Sequence, residues 1–440
     1  MTEDSRSARK ANPGISRRGF LHAGAAGLAG APLAACAAES DSAASRRRPA
    51  LTRPEGVEDD AWAHIRQHFI LEPGTAYMNN ASLGMPPASV AEAVAAGYEA
   101  LSREPLQGKN ELGAFIAANV VPRMAAQLGA ATDEIVLTRN ASEALHMGTV
   151  GIRLERGDEV LVTSQEHPAG RRPWDYRAAR DGIKVNTVFI PSPLESEEQA
   201  VRLVEGALTP ATRVIAFCHV TRGGHLYPVR QLCALARERG IVSHVDGAQA
   251  VGMFPVNLHD LGCDTYSASL HKWLLGPMGT GVFYVRADAR DRVQSAFAPG
   301  GDLPPADDVG MAAYQPPGTS SLPLRAALAA SLDLTEALDP ENVAARTRYL
   351  SDQLKSRLAA MPGVTILSGP TPATSCPGST IFEQEGVDAV EAVSLVARRG
   401  RIHIDEHQRD GHNAIRISTH VYNTTAEIDR LVDVLAGLPA

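Results

Sequence analysis

The chain has 440 residues, 44% hydrophobic and 5% aromatic, enough to bury a large core and to form two domains. Fifty acidic residues against 42 basic ones give a formal charge of −8, and there is no basic stripe and no RNA or DNA motif, so composition speaks against a nucleic-acid partner. No apolar run reaches the ~20 residues of a membrane-spanning helix.

The first informative stretch is "SRRGFLHAGAAGLAGAPLAAC". Arg17 and Arg18 precede Phe20, Leu21 and a weakly apolar run to Ala35, the layout of a signal segment. The paired arginines resemble the twin-arginine export signal. Leu33-Ala34-Ala35-Cys36 resembles a lipoprotein cleavage box, in which Cys36 would receive lipid and anchor the chain to a membrane. The expectation is a signal segment over 1–35, a polar tether over 36–58, and a periplasmic or other extracytoplasmic location. The alternative is an Ala-rich tail with a chance arginine pair. Cys218, Cys233, Cys263 and Cys376 show no CxxC and no framework spacing, and are expected to be free thiols.

From Asp59 the pattern becomes ordered. "DDAWAHIRQHFIL" spaces Trp62, Ile65 and Phe69 as one face of a helix. "PGTAYMNNASLGMPP" is a loop dense in turn formers. Residues 88–128 read as two helices broken near "REPLQGKN". Seven short apolar strands follow: "EIVLT", "EVLVTS", "VNTVFI", "VIAFCHV", "IVSHVD", "TYSAS" and "GVFYV". Helical segments at 142–153, 170–181, 197–208 and 228–239 lie between most of them. Buried β-branched strands alternating with helices predict an α/β fold with a mainly parallel sheet covered on both faces. From about 323 come a long Ala/Leu helix, "GSTIFEQ", a helix at 387–399, "GRIHID", "AIRIST" and a last helix from Thr425. Two or three strands with helices on one side predict a smaller α+β domain. The expected domains are 59–320 and 321–440.

In open α/β sheets ligands sit at the carboxyl ends of the strands, and several polar clusters fall there. "TRNASEALH" opens a helix at Ala141-Ser142-Glu143, whose free N–H groups suit a phosphate, with Glu143 capping the helix. "SQEHPAG" places His167 after the next strand. "SHVDGAQAVG" places Asp246, Ala248 and Gln249 after another, and "SASLHKW" places Lys272 26 residues beyond Asp246. Singly, each has a bland reading: a helix cap, a turn residue, a surface lysine with a snorkelling stem. A lysine facing inward at a strand end would lose its charge readily, and a neutral amine is a nucleophile.

Taken together, "HVDGAQAVG" followed by "SLHKW" resembles the class V aminotransferases among the fold-type I pyridoxal-phosphate enzymes, a group that also holds cysteine desulfurases. The resemblance runs from about Tyr77 to Arg430. "HVTRGGHLYPV" and "AIRISTHVYNT" are similar to the isopenicillin N epimerase-like branch. The resemblance implies a seven-stranded, mainly parallel sheet plus a small C-terminal domain, pyridoxal 5′-phosphate as cofactor, and a homodimer with shared sites. It also implies roles. Lys272 would bind the cofactor aldehyde and move protons at the substrate α-carbon. Asp246 would pair with the ring nitrogen, His167 stack on the ring, and Gln249 bond the phenolic oxygen. Ser269 and His271 would join Ala141 and Ser142 at the phosphate, and Thr319 in "PPGTSS" would reach the phosphate of the second subunit. Arg416 would hold the substrate carboxylate, for which a planar fork is suited. Plainer readings stay open: Ser269 as a strand residue, Thr319 as a turn residue, Arg416 facing solvent, and Trp273 as packing.

Two features depart from the family pattern. "RIHIDEHQRDGHNAIR" contains no cysteine where desulfurases carry their nucleophile, which speaks against persulfide chemistry. After "HV", where many relatives place an asparagine, the loop reads Thr221-Arg222-Gly223-Gly224, and Arg222 either meets an acidic group of the substrate or points to solvent. The expected activity is aminotransferase or epimerase chemistry at the α-carbon of an amino acid or a small derivative. The alternatives are a C–S lyase without a catalytic cysteine and a non-catalytic binding protein of the same fold.

Overall fold

The computed structural model describes residues 48–297 and 310–438. Arg17, Arg18 and Cys36, the residues of the expected export and lipid signals, lie outside the described residues. Pro49–Ala440 forms one compact unit.

A two-residue strand β1 (Ala76–Tyr77) precedes the main sheet, whose strands are β2 (Ile135–Thr138), β3 (Glu159–Thr163), β4 (Lys184–Val188), β5 (Thr212–Cys218), β6 (Val242–Asp246), β7 (Thr265–Ser269) and β8 (Gly281–Val285). Their order is β2-β8-β7-β6-β5-β3-β4. β4, β3, β5, β6 and β7 run parallel, while β8 pairs antiparallel with both β7 and β2. Every residue of β6, β7 and β8 is buried, as a sheet covered on both faces requires. Alternate residues feed opposite cores. Leu161, Ile215 and Val245 pack into one, and Val160, Val162, Val214 and Ala216 into the other. Each such fully buried Val, Leu or Ile side chain contributes on the order of 2 kcal/mol.

The seven strands are those legible in the sequence, and "TYSAS" and "GVFYV" match β7 and β8 to the residue. The helical reading of 88–128 differs in detail. α2 (Ala88–Arg103) and α3 (Pro105–Phe115) meet at Glu104, which is extended because a proline disfavours helical backbone in the residue before it. A π-turn over Ile116–Val120 then leads into α4 (Val121–Gln127).

The smaller C-terminal domain carries a four-stranded antiparallel sheet in the order β12-β13-β10-β9. Its strands are β9 (Val364–Ile366), β10 (Ser379–Gln384), β12 (Asp405–Arg409) and β13 (His412–Ser418). A separate short β11 (Ile402–His403) pairs parallel with β1. The sequence pointed to two or three strands here. β9 is only three residues long, and β12, "DEHQR", is too polar to show a strand period. β12 forms because Asp410 and Gly411 both adopt positive φ (54° and 87°), the type I′ geometry that closes a two-residue hairpin.

The stretch expected as a tether departs from that expectation where it is described. Pro49–Glu58 belongs to the folded unit: Leu51 packs beside Trp62 and Phe69, and Arg346 Nη1 donates to the Val57 carbonyl at 2.6 Å. The helix that follows, α1 (Asp59–Arg66), buries Trp62 and Ile65 as its spacing predicts. Cys218, Cys233, Cys263 and Cys376 are buried free thiols. Among the described residues no helix is long and apolar enough to cross a membrane.

Candidate active site

The carboxyl ends of the parallel strands converge on one pocket. Asp246 ends β6, flanked in register by Cys218 at the end of β5 and Ser267 on β7. Lys272 lies three residues beyond the end of β7, and His167 four beyond β3. α5 (Ala141–Gly151) starts just past β2. The pocket is lined by Ala141, Ser142, His167, Arg222, Asp246, Gln249, Ser269 and Lys272, eight of the eleven expected site residues.

Lys272 sits on a turn closed by the Gly276 N–H on the Leu270 carbonyl at 2.8 Å. Over its backbone lies the loop that the sequence showed only as turn-rich. The Gly84 N–H donates to the His271 carbonyl at 2.9 Å, and Asn80 Nδ2 approaches the Lys272 carbonyl at 3.5 Å. A side chain at Gly84 would collide with that carbonyl. Burial pulls the Lys272 amine down to about 8; Arg416 and Arg222 act in the same direction and Asp246 opposes them. The Asp246 carboxyl is pushed up by burial, against the pull of the Ala248 N–H, which donates to it at 2.9 Å, and of Lys272.

His167 caps α6 (Pro168–Asp181), its Nδ1 accepting the Ala169 N–H at 3.1 Å, so the neutral ring carries its proton on Nε2. Burial, with Lys272 and three arginines, lowers it to about 4, leaving an uncharged ring at neutral pH. Gln249 is held at both ends: Nε2 donates to the Ala81 carbonyl at 2.9 Å, and Oε1 accepts from Trp273 Nε1 at 2.8 Å. Trp273 therefore does more than pack. Its ring stacks on His420 at 5.6 Å, and His420 Nε2 donates to the Trp273 carbonyl at 3.0 Å.

At the start of α5, Ser269 Oγ accepts the Ala141 N–H at 3.1 Å, so Ser269 is tied to the helix terminus and is more than a strand residue. The Ser142 N–H, in the first turn, has no carbonyl within the helix to bind. Glu143 caps the turn by accepting the Arg139 N–H at 2.7 Å.

Three expected residues lie apart from the pocket or are otherwise engaged. His271 does not line it; its Nδ1–H donates to the Thr280 carbonyl at 3.0 Å. Thr319 lines a separate groove with Asn140, Glu143, Gly318 and Arg325, so within one chain it does not reach the Lys272 pocket. Arg416, on β13, is buried and does not face solvent: its Nη2 donates to Asp405 Oδ2, and its Nε has no partner. Burial lowers it to about 10, with Asp405 opposing. Arg222 lines the pocket, and its Nη2 binds the Glu406 carboxylate at 2.9 Å.

Some participants were not legible beforehand. Glu166 is buried beside Asp246, and its Oε1 accepts from Thr163 Oγ1 at 2.6 Å and the Cys218 N–H at 3.2 Å. Burial, reinforced by the Asp246 charge, raises it to about 7. Its one signal was a charged residue at a strand end in "SQEHPAG". The Cys218 thiol lines the pocket and donates to Glu166 Oε2 at 3.3 Å, but burial, Glu166 and Asp246 push it well above the ordinary thiol range. Asn79 and Asp405 meet at Arg416. Where a desulfurase would carry a cysteine loop, this chain has the tight β12–β13 hairpin, without a cysteine.

These donors can be set against what pyridoxal 5′-phosphate presents. An amine drawn toward neutrality suits its aldehyde, a buried carboxylate its ring nitrogen, a neutral imidazole its face, a held amide its phenolic oxygen, and a helix N-terminus its phosphate. The residues fit the group.

The family model for Aminotransferase class-V matches residues 76–431. The isopenicillin N epimerase of Streptomyces clavuligerus is 30% identical over 390 residues, covering 86% of this chain and 98% of that one. A probable cysteine desulfurase of Pseudomonas putida is 32% identical over 339 residues, 71% of this chain and 80% of that one. Among solved structures, a cysteine desulfurase from Escherichia coli matches with a TM-score of 0.74 at 26% identity, over 85% of this chain and 97% of that one. A mutant of C-DES with glycine covalently linked to its PLP cofactor matches in fold with a TM-score of 0.78 at 24% identity, over 85% and 99%. The strand-end pocket, the fold around it and the family match over most of the chain place this protein in the class V aminotransferase family of fold-type I enzymes, with pyridoxal 5′-phosphate as cofactor.

Proposed function

We propose that the protein transfers protons at the α-carbon of an amino acid or a small amino-acid derivative, as an epimerase or an aminotransferase. The observation that carries this reading is the strand-end pocket that brings Lys272 together with Asp246, His167 and Gln249, where burial draws the Lys272 amine down to about 8. An amine titrating near physiological pH can both take and return a proton. Bound pyridoxal phosphate supplies the electron sink that acidifies the α-proton. Lys272 would hold its aldehyde, Asp246 its ring nitrogen, His167 its ring face, Gln249 its phenolic oxygen, and Ser142 and Ser269 its phosphate. Arg416 would orient the substrate carboxylate. Thr319 would act on the phosphate of a partner subunit in a homodimer.

Similarity to isopenicillin N epimerase over 98% of that protein's length supports the epimerase side of the reading. The four described cysteines are buried, which weighs against a persulfide route. Incubation with a broad amino-acid panel in deuterated water tests the proposal. Deuterium at the α-carbon with loss of chirality assigns epimerisation, and a keto acid with aminated cofactor assigns transamination. Pyruvate with sulfide assigns lysis and overturns the proposal, as does the absence of α-exchange.

Export by the twin-arginine route with lipid attachment at Cys36 is proposed from the sequence motif alone. Replacing Arg17 and Arg18 by Lys should keep the protein in the cytoplasm, and Cys36→Ser should abolish lipid attachment. An unprocessed N-terminal methionine on protein from the native host would refute both.

A further inference from the structure

Arg222, which lines the pocket, and Arg416, the residue proposed for the substrate carboxylate, are both already ion-paired within the chain. Arg416 Nη2 donates to Asp405 Oδ2. Arg222 Nη2 lies 2.9 Å from Glu406 Oε1 and 3.7 Å from Asp405 Oδ2. The two carboxylates are neighbours on β12, and the Asp410–Gly411 turn sets the register that puts Asp405 directly opposite Arg416. The other charged groups of the strand are engaged elsewhere. Arg409 donates to the Glu166 carbonyl at 2.6 Å, and His407, buried among three arginines, is held neutral. Two guanidiniums and two carboxylates thus form a set with no net charge. Within it Arg416 is 3% exposed and its Nε has no partner, leaving one unused donor on a buried cation.

We propose that Asp405 is a specificity-determining residue, which competes with the substrate carboxylate for Arg416 and selects against amino acids bearing a second carboxylate. The proposal rests on the reading that Arg416 takes the substrate carboxylate. A carboxylate arriving at Arg416 meets Asp405 on the same guanidinium, and the neutral set becomes negative by one charge. Arg222 cannot offset that charge, because Glu406 already occupies it. A substrate with an anionic side chain adds a second like charge to a partly buried cluster. A neutral side chain adds none, and a cationic one restores neutrality. Like-charge juxtaposition of this kind acts as a repulsive selectivity element.

The test uses full-length holoenzyme and three amino acids of similar length: 2-aminoadipate, norleucine and lysine. Their dissociation constants are read from the change in cofactor absorbance, for the native protein and for Asp405→Asn, Glu406→Gln and Arg416→Gln. The native enzyme should bind 2-aminoadipate about tenfold more weakly than lysine. Asp405→Asn keeps the size of the side chain and a hydrogen bond to Arg416 while removing the charge. It should tighten 2-aminoadipate about tenfold and level the series. Glu406→Gln should move the ratio in the same direction by less, and carries the test if Asp405→Asn does not fold. An unchanged ratio in both variants overturns the proposal. So does equal weakening of all three ligands by Asp405→Asn, which would mark Asp405 as a mere prop for Arg416. Equal affinities in Arg416→Gln and the native enzyme overturn the underlying carboxylate reading and the proposal with it. That result is distinguishable because it appears in a different variant and does not depend on the side chain of the ligand.

Discussion

In the apoprotein the Lys272 amine should titrate near pH 8 instead of 10.5. The lowering corresponds to about 3 kcal/mol acting against the ammonium, at about 1.4 kcal/mol for each tenfold change. At pH 7 roughly one Lys272 side chain in ten would be a free amine, against roughly one in three thousand for an unperturbed lysine. Competitive acetylation followed by peptide mass spectrometry reads this directly, with exposed Lys184 as the internal reference. Burial is the largest cause of the lowering, so the Lys272 midpoint should stay below 10.5 in every pocket variant. Asp246→Asn removes the charge that helps Lys272 keep its proton, and the midpoint should fall further. Arg416→Gln removes a repelling charge, and the midpoint should rise. A Lys272 midpoint above 10, or an upward movement in Asp246→Asn, would refute the electrostatic reasoning. The sign also fixes a stability effect. Between about pH 8 and 10.5 the unfolded chain binds the Lys272 proton and the folded one does not, so this group's contribution to stability rises with pH across that window. Below pH 8 the full cost is present. Lys272→Met should therefore stabilise the apoprotein at pH 7 by up to about 3 kcal/mol, fading toward pH 10.5 in urea titrations.

Gly84→Ala forces a side chain into the Lys272 carbonyl, so it should lower stability by about 1–3 kcal/mol and reduce the cofactor retained per chain. Normal retention with an unchanged unfolding midpoint would count against the loop's clamping role. Trp273→Phe leaves Gln249 Oε1 without its donor and opens space in the core, and should cost about 1–3 kcal/mol in denaturant unfolding. Cys218, with its thiol raised by burial and two carboxylates, should resist iodoacetamide at pH 8 in the native protein and react once unfolded. Rapid native alkylation would show a reactive thiolate in the pocket.

Much of the pocket could be read from local pattern because the fold converts position along the chain into position in space. Once seven apolar runs alternate with helices, a polar residue just past a run must lie at a strand end. That places His167, Asp246 and Lys272 near one another without a coordinate. The roles of the cofactor-binding residues came from family motifs and not from periodicity, and it is among these that His271 and Thr319 fall outside the pocket of a single chain.

The sequence by itself determined the seven strands, their mainly parallel arrangement and the set of strand-end side chains. Each depends on short-range hydrophobic period or on residues adjacent in the chain. Only the tertiary structure decided what those side chains touch. Asp405 meets Arg416 because a positive-φ turn fixes the register of a strand too polar to announce itself. Gly84 and Asn80 reach the Lys272 loop across nearly 200 residues of chain, and Tyr422, still further away, holds Asn80 through its hydroxyl at 2.8 Å. The titration of Glu166, Lys272 and Arg416 follows from burial. Burial belongs to the packed whole, and no local period encodes it.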